Sequence, residues 1–504
     1  MTPSSAGDAV LAHDLGTTGD KAALYDAEGR LVAASTAPYD TRYGPGGEVE
    51  QDADAWWDAV CLATRDLLAR TGWNPGGVAA VSFSGQMMGA VLLDTGGRPV
   101  RPAIIWADTR SQAECQALVD RVGMERGYAI TGHRLNPTYS LSKVMWVRAH
   151  EPDAWARTRA VALAKDVVAL RLTGRLATDP SDASSTNAFD QRTGAWSEEL
   201  LAAADLDAGL LPEVVPSTTV VGTVLPEAAS ATGLAAGTPV VMGGGDGPCA
   251  ALGAGVVAPE SGGYAYLGSS SWVSLAADQP LHDPHMRTMT FNHVVPGRFV
   301  PTATMQAGGA SLEWIVDVLV PGRQPGRYDR LVAEAAAVDA AGEGLLFLPY
   351  LLGERSPYWN PRARGVFLGL AKRHGPAHLT RAVLEGVAMN LRVGLEAFEE
   401  RGAKLARLDA IGGGAASDVW LQVFADVWGL PVRRRSLVEE ANALGAAVVG
   451  GVGVGLFDGF DVAPRLSSVQ AEFVPDPARH TAYDRPYRRF LDAYRRLEPL
   501  FDAP

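Results

Sequence analysis

Three short stretches of this chain join glycine to groups able to hold a phosphate or a nucleoside. DLGTTGDK (14–21) and LGSSS (267–271) each place hydroxyls in a glycine turn after an apolar run, and IGGGAAS (411–417) offers glycines without hydroxyls between them. Tight turns present backbone N–H groups to anions, and hydroxyls add donors. In the third turn the missing side chains let a flat base or a ribose approach the backbone. A fourth stretch, VVMGGGDGPCAALGAG (240–255), sets one carboxylate, Asp246, between a strand-like end and a helix of small residues. An acid there either caps the helix or does chemistry, and the residues alone leave both readings open. Asp14 poses a similar choice. It reads as a satisfied turn residue or as a carboxylate near hydrated Mg²⁺, an ion that takes carboxylate, water and phosphate ligands. Lys21 reads equally as a phosphate contact and as an exposed strand lysine.

Regular elements must position these residues. After a loose tail at 1–7, residues 8–35 read as three strands joined by the turns GTTG and DAEGR. A helix is predicted over 52–71, with Asp52 as N-cap and Trp56, Trp57, Val60, Cys61, Leu67 and Leu68 at helical spacing. Strands follow at 78–85 and 90–94, and helices at 139–150 and 166–174. The second half opens on 262–277, again a strand, a glycine–hydroxyl turn and a strand, so the two halves begin alike. Residues 408–430 form another strand–glycine turn–helix, 443–457 a buried helix and turn, and 486–497 an amphipathic helix. No low-complexity linker divides the halves. The expected arrangement is mixed α/β, with a triphosphate gripped between two related lobes that meet at a cleft.

Composition narrows the partners. At 504 residues the chain is too long for one ordinary core. Hydrophobic content of 47% and charged content of 20% exclude a mainly disordered chain. The net charge of −13 argues against nucleic acid as the main partner. Three cysteines, Cys61, Cys115 and Cys249, show no metal-ligand spacing and suit a reduced cytoplasmic setting. The N-terminus lacks a basic-then-apolar signal, and the run 443–457 is too short and glycine-rich to span a membrane. No G-x-x-x-x-G-K-[ST] or complete dinucleotide fingerprint occurs, nor the protein-kinase H-R-D and D-F-G elements. Any use of ATP therefore needs another architecture. His282 and His285 share an H-x-x-H spacing without a third ligand, and Arg433–Arg435 reads as a solvated strand edge.

From about residue 8 to 501 the chain resembles the FGGY carbohydrate kinases, most closely their xylulokinase branch. RGVFLGLAKRHGPAHLTRAVLEG (364–386) fits the family's C-terminal signature through Gly365, Phe367, Gly369, Leu370, His378, Leu379, Ala382 and Glu385. YSLSKVMWVRAH nearly matches the N-terminal one, with Lys143 and Trp146 in place and Ala149 where a polar residue is usual. EVEQDADAWW (48–57), GQMMGAVLLD (85–94), RPAIIWAD (101–108) and LPYLLGERSP (348–357) are also similar to xylulokinase segments. The resemblance implies an actin-like ATPase fold with two ribonuclease-H-like lobes, an N-terminal one over 8–256 binding sugar and a C-terminal one over 257–504 binding ATP. It implies Asp246 as base and Asp14 beside Mg²⁺, with Asp246 also reaching the metal through water. Gly16, Thr17, Thr18, Ser269 and Ser270 would contact phosphate, Gly413 and Gly414 the adenosine, and Met87, Met88, Asp246 and Gly247 the sugar. A homodimer is the family expectation, with no membrane partner. Trp56 and Trp57 read as helix packing near the sugar site, and Glu354–Arg355 as an interlobe ion pair or a substrate contact.

Two departures bear on the sugar. Xylulokinases commonly read Q-M-H-G where this chain has QMMG, so Met88 replaces a histidine. They read G-G-G-D-N where it has GGGDG, so Gly247 replaces an asparagine. Losing two hydrogen-bonding groups from a polyol site alters which hydroxyls are paired. His13 also stands where an aliphatic strand residue is commoner. The implied reaction is ATP-dependent phosphorylation of D-xylulose to its 5-phosphate. Alternatives are another pentulose or a polyol such as erythritol or glycerol, and, in a different class, a non-catalytic sugar sensor or an actin-like ATPase module.

Overall fold

Buried apolar residues and a turn of small ones make the first hairpin, β1 (Ala9–Leu15) and β2 (Gly19–Asp26), in which Asp14 lies opposite Lys21. With β3 (Leu31–Pro38), β4 (Val78–Gly85), β5 (Val220–Thr223) and β6 (Pro239–Val241) it forms a sheet of order β5-β6-β4-β1-β2-β3. This computed structural model describes residues 9–322, 324–436 and 440–501. The tail expected at 1–7 and the first residue of the expected N-terminal lobe lie outside the described residues.

The second sheet repeats the first. It contains β7 (Gly263–Leu267), β8 (Ser271–Leu275), β9 (Met289–Asn292), β10 (Phe299–Met305), β11 (Leu408–Ile411), β12 (Val432–Arg435) and β13 (Val469–Phe473). Its order is β9-β10-β8-β7-β11-β12-β13. Apart from the added β9, β10-β8-β7-β11-β12-β13 corresponds strand for strand to β3-β2-β1-β4-β6-β5. Parallel and antiparallel neighbours fall at the same places. The likeness of the two openings is thus a duplication of whole sheets. β12 is also an interior strand. Arg433 pairs with Asp409 at 2.7 Å and Arg435 is buried, which corrects the solvated-edge reading.

Helices cover both sheets. α1 (Ala53–Thr71) starts at Asp52, whose side chain accepts the Asp54 N–H, and buries Val60 and Leu67 against the first sheet. α2 (Ser140–His150) and α3 (Ala164–Thr173) lie in the first half. α4 (Asp246–Gly253) leads from it, and α5 (Gly309–Leu319), α6 (Pro376–Glu400) and α7 (Asp418–Trp428) pack on the second sheet. α8 (Ala441–Gly453) is the helix expected near 443–457, yet its partners lie in the other half. Ala443, Leu444, Ala447 and Val448 pack with Val10, Ala12, Ala80 and Val241 of the first sheet. It crosses α4 so closely that a Cβ at Gly445 would lie 2.0 Å from the Cys249 carbonyl oxygen. Only glycine permits that approach. α9 (Pro477–Phe501) extends the predicted C-terminal helix in both directions. Among the described residues no helix is long and apolar enough to cross a membrane.

Candidate active site

Parallel strands end side by side, so β1 and β4 bring Asp14 against Ser84. Ser84 Oγ donates to Asp14 Oδ1 at 2.8 Å, and Asn442 Nδ2, from the first turn of α8, donates to the same oxygen at 3.4 Å. Beyond β6, Gly244–Gly245 pair with Ser84–Gly85, which delivers Asp246 to the same end of the sheet. Gly245 is the N-cap residue of α4, and Asp246 opens the helix with Oδ1 accepting the Gly247 N–H at 2.7 Å. Asp246 is therefore not the cap. The glycine run before it is forced: at Gly243 φ is 70° and a Cβ would lie 2.1 Å from the Phe83 carbonyl oxygen.

Both acids keep some solvent contact but are enclosed by protein. Burial lifts Asp14 above the usual carboxylate range, opposed by the Ser84 and Asn442 hydrogen bonds and by the Lys21 charge. Burial first, and the Asp14 charge second, push Asp246 up to about 7. The two acids thus stand close enough for the Asp14 charge to disfavour ionisation of Asp246. His13 points away, bonding Asp20 at 2.8 Å and Thr64 at 3.4 Å beneath the sheet.

The turn at Gly16, Thr17 and Thr18 is wired by side chains. Gln51 Nε2 donates to the Thr17 carbonyl at 2.6 Å, and its Oε1 accepts from Trp56 Nε1 at 3.0 Å and Gln86 Nε2 at 2.8 Å. Tyr39 OH donates to the Gly16 carbonyl, and Trp106 Nε1 to Thr17 Oγ1 at 2.9 Å. Trp56 does more than pack its helix, because it orients the glutamine that holds the turn.

In the second lobe, Ser269 and Ser270 stand exposed at the tip of the β7–β8 turn. The start of α5 closes beneath them: the Gly309 N–H donates to the Gly268 carbonyl at 2.7 Å and the Ala310 N–H to the Ser269 carbonyl at 3.1 Å. A Cβ at Gly308 would meet Ser271 Oγ at 2.0 Å. Because β11 pairs with β7, the third turn lies beside the second. Gly413 has open space above its Cα, as an approaching nucleoside requires, while Gly414 is packed on Leu267 and Trp420. Glu354 turns back into this lobe, accepting the Gln306 N–H at 2.9 Å and Asn390 Nδ2 at 3.1 Å, and burial pushes its carboxyl up to about 8. Arg355 instead stands beside Tyr139 of the first half.

Met87 and Met88 are buried near Asp246. Met88 takes φ 64°, rare for a residue other than glycine, and its backbone is pinned at both ends. Its N–H donates to Ser185 Oγ at 3.1 Å, and its carbonyl accepts from Lys143 Nζ at 2.8 Å. Burial brings Lys143 down to about 7, and it also binds the Ile105 and Thr138 carbonyls. A Cβ at Gly247 would meet only Met87 Sδ, at 3.9 Å, so the place of the family's asparagine is open. Tyr264 OH, from β7, donates to the Gly247 carbonyl at 3.3 Å and ties the lobes together there. The His282 ring packs against Tyr128. No group of three or more His, Cys, Asp or Glu side chains that could hold a metal occurs among the described residues.

Residues 9–253 match the N-terminal domain of the FGGY family of carbohydrate kinases, and residues 263–454 match its C-terminal domain. The chain belongs to the FGGY family of carbohydrate kinases. Xylulose kinase of Escherichia coli (strain K12) is 36% identical over 488 residues, covering 97% of this chain and 99% of that one. Xylulose kinase of Lactococcus lactis subsp. lactis (strain IL1403) is 34% identical over 494 residues, covering 97% of each. The crystal structure of xylulose kinase from Rhodospirillum rubrum matches with a TM-score of 0.92 at 32% identity, over 98% of this chain and 100% of that one. This FGGY kinase accordingly has the actin-like ATPase fold of two related lobes, as the resemblance implied, and the duplicated sheets are its physical trace. The residues that hold Asp14 and its turn, namely Ser84, Asn442, Gln51, Gln86, Tyr39 and Trp106, were not singled out from sequence. Gln51 and Trp56 lie in the segment EVEQDADAWW and were within reach. Asn442 carries no such signal, since it meets Asp14 across 428 positions.

Proposed function

We propose that this kinase transfers the γ-phosphoryl group of ATP to a hydroxyl of a ketopentose, D-xylulose, giving the 5-phosphate. Similarity to curated xylulose kinases along nearly the whole chain supports the substrate class. The mechanism rests on one observation: the pairing of Gly244–Gly245 with Ser84–Gly85 sets Asp246 at the start of α4, at the sheet end that carries Asp14, where burial and the Asp14 charge push its carboxyl up to about 7. A sugar hydroxyl stays protonated at neutral pH. A carboxylate within hydrogen-bond reach orients it and takes its proton late in transfer, an effect of about 10² to 10⁴ in rate.

In this reading the first lobe holds the sugar against Met87, Met88, Asp246 and Gly247. Gly16, Thr17 and Thr18 face the transferred phosphate from one side, and Ser269 and Ser270 from the other. Gly413 and Gly414 receive the adenosine. Asp14, with Asp246 through water, would hold Mg²⁺. The fit lies in two enclosed carboxylates at one end of the first sheet, where the Asp14 charge disfavours the charged form of Asp246 and a cation would favour it. The ion would supply charge neutralisation on the phosphate oxygens.

A second reading keeps the chemistry and changes the sugar to another pentulose, or to a polyol such as erythritol or glycerol. Met88 and the open space at Gly247 favour it, because neither offers a polar side-chain atom to a hydroxyl. A coupled ADP-release assay across D-xylulose, other pentuloses, erythritol and glycerol decides. The lead expects the highest kcat/KM on D-xylulose, and equal or better turnover of a polyol overturns it.

A further inference from the structure

The three glycines that precede Asp246 have no side chains with which to anchor themselves, so their position is set from outside. Gly245 N–H, one residue before the proposed base, donates to Ser181 Oγ at 2.9 Å. Ser181 has a single hydroxyl proton, and it goes to Asp179 Oδ2 at 2.6 Å. The serine lone pairs are thereby turned toward Gly245. Asp179 is held in turn: its Oδ2 also accepts from Ser217 Oγ at 2.8 Å, and its Oδ1 lies 3.1 Å from Lys165 Nζ. Lys165 is 2.7 Å from Asp166 Oδ1 and 3.3 Å from Asp182 Oδ2, and all four side chains are fully buried.

A buried ammonium among three buried carboxyl groups is costly to desolvate and is a poor device for stability alone. What distinguishes this one is where it leads. The same short segment holds two further amides: Ser185 Oγ accepts the Met88 N–H at 3.1 Å, and Ser184 Oγ accepts the Asn292 N–H, on β9, at 3.0 Å. Residues 181–185 thus register the backbone of the base, the backbone of the proposed sugar contact, and an edge strand of the other lobe. A Cβ at Gly244 would meet Ser181 Oγ at 2.8 Å, so the serine sits flush against the glycine run.

We propose that Ser181, oriented by Asp179 and Lys165, is a positioning residue that sets the place of Asp246 against the acceptor hydroxyl. This rests on the reading of Asp246 as base. Misplacing a reacting group by about 1 Å costs up to about 10²-fold in rate. The test compares the full-length enzyme with Ser181→Ala, Ser181→Thr and Asp246→Asn, using D-xylulose and ATP, thermal melting, and amide hydrogen exchange at Gly245. Ser181→Ala is expected to lower kcat by about ten- to a hundredfold. The KM for ATP should stay within about twofold, the protein should remain folded, and the Gly245 amide should exchange faster. Ser181→Thr, which keeps the hydroxyl, should recover most of the kcat. Unchanged kcat in Ser181→Ala overturns the inference, as does a loss accounted for by the unfolded fraction. Near-normal turnover in Asp246→Asn is a different result: it overturns the base itself, whatever Ser181 does.

Discussion

The two glycine–hydroxyl turns occupy equivalent places in equivalent sheets, yet they are held by different means. In the first lobe, Gln51, Gln86, Tyr39 and Trp106 reach in from separate segments and bind the carbonyls and hydroxyl of residues 16–17. In the second lobe, backbone binds backbone, and Gly308 and Gly309 let the start of α5 lie directly beneath Gly268 and Ser269. The first turn is shared with Asp14, and on the proposed reading it must be fixed in orientation, which a side-chain hydrogen-bond network achieves. On the same reading the second has only to present N–H and hydroxyl groups to an anion, and close backbone packing is enough. The two copies share one frame, and the proposed division of chemistry between them matches the difference in how each turn is fastened.

Perturbing each side tests that contrast. The largest effect is expected on the catalytic side: Asp246→Asn should lower kcat at least about a hundredfold with ATP affinity retained, read from steady-state kinetics and nucleotide titration. Next comes the backbone-fastened turn. Gly308→Ala forces a Cβ into Ser271 Oγ, and overpacking of this kind costs about 1–3 kcal/mol. The expected result is an ATP KM raised about tenfold with the sugar KM little changed, since 1.4 kcal/mol is about tenfold. Gln51→Ala removes the bonds to one carbonyl, one hydroxyl and two donors around the first turn, at about 0.5–1.5 kcal/mol for each net hydrogen bond. It should reduce kcat by a lesser factor than Asp246→Asn while affecting ATP binding less than Gly308→Ala. If Gln51→Ala instead raises only the ATP KM, the two turns do not differ as described.

The smallest effect is on pH dependence, and its sign is definite. A carboxyl raised to about 7 in the folded protein, against about 4 when unfolded, keeps its proton in the native state through that interval. Its contribution to apo-protein stability is whole below about pH 4 and declines as pH rises to about 7. Activity runs the other way, because the base is charged only above its pKa, so kcat should rise through pH 7. Asp246→Asn should flatten this group's share of the melting-temperature profile between pH 4 and 7. A profile identical to that of the unmodified enzyme would assign the decline to other groups.

Much of the site was legible before any tertiary information. Asp14 and Asp246 stand out because each is a carboxylate at the meeting of an apolar run and a glycine turn, a pattern the chain uses rarely. The cap reading of Asp246 was also available locally, and only the backbone geometry, with Gly245 as N-cap residue, removes it. The misreading of Arg433–Arg435 has a plain cause. Three successive arginines look solvated in isolation, whereas β13, far along the chain, covers the strand and Asp409 pairs with Arg433. Lys143 and Lys165 show the same limit, since lysines in helical segments read as surface residues until the carbonyls and carboxylates around them are in place.

Sequence by itself determined the class of this protein: the alternation and turns that make two like hairpins, the family signatures, and the acids and glycines at strand ends. These are local, set by side-chain size, backbone freedom and the short-range pattern of apolar residues. Tertiary structure alone decided that α8 closes the first core, that Asn442 reaches Asp14, that Ser181 fastens the backbone before Asp246, and that the two carboxylates share one cleft. Those facts depend on burial and on contacts between segments from 64 to 428 positions apart, where the chain's path sets distance and no spacing along the sequence records it.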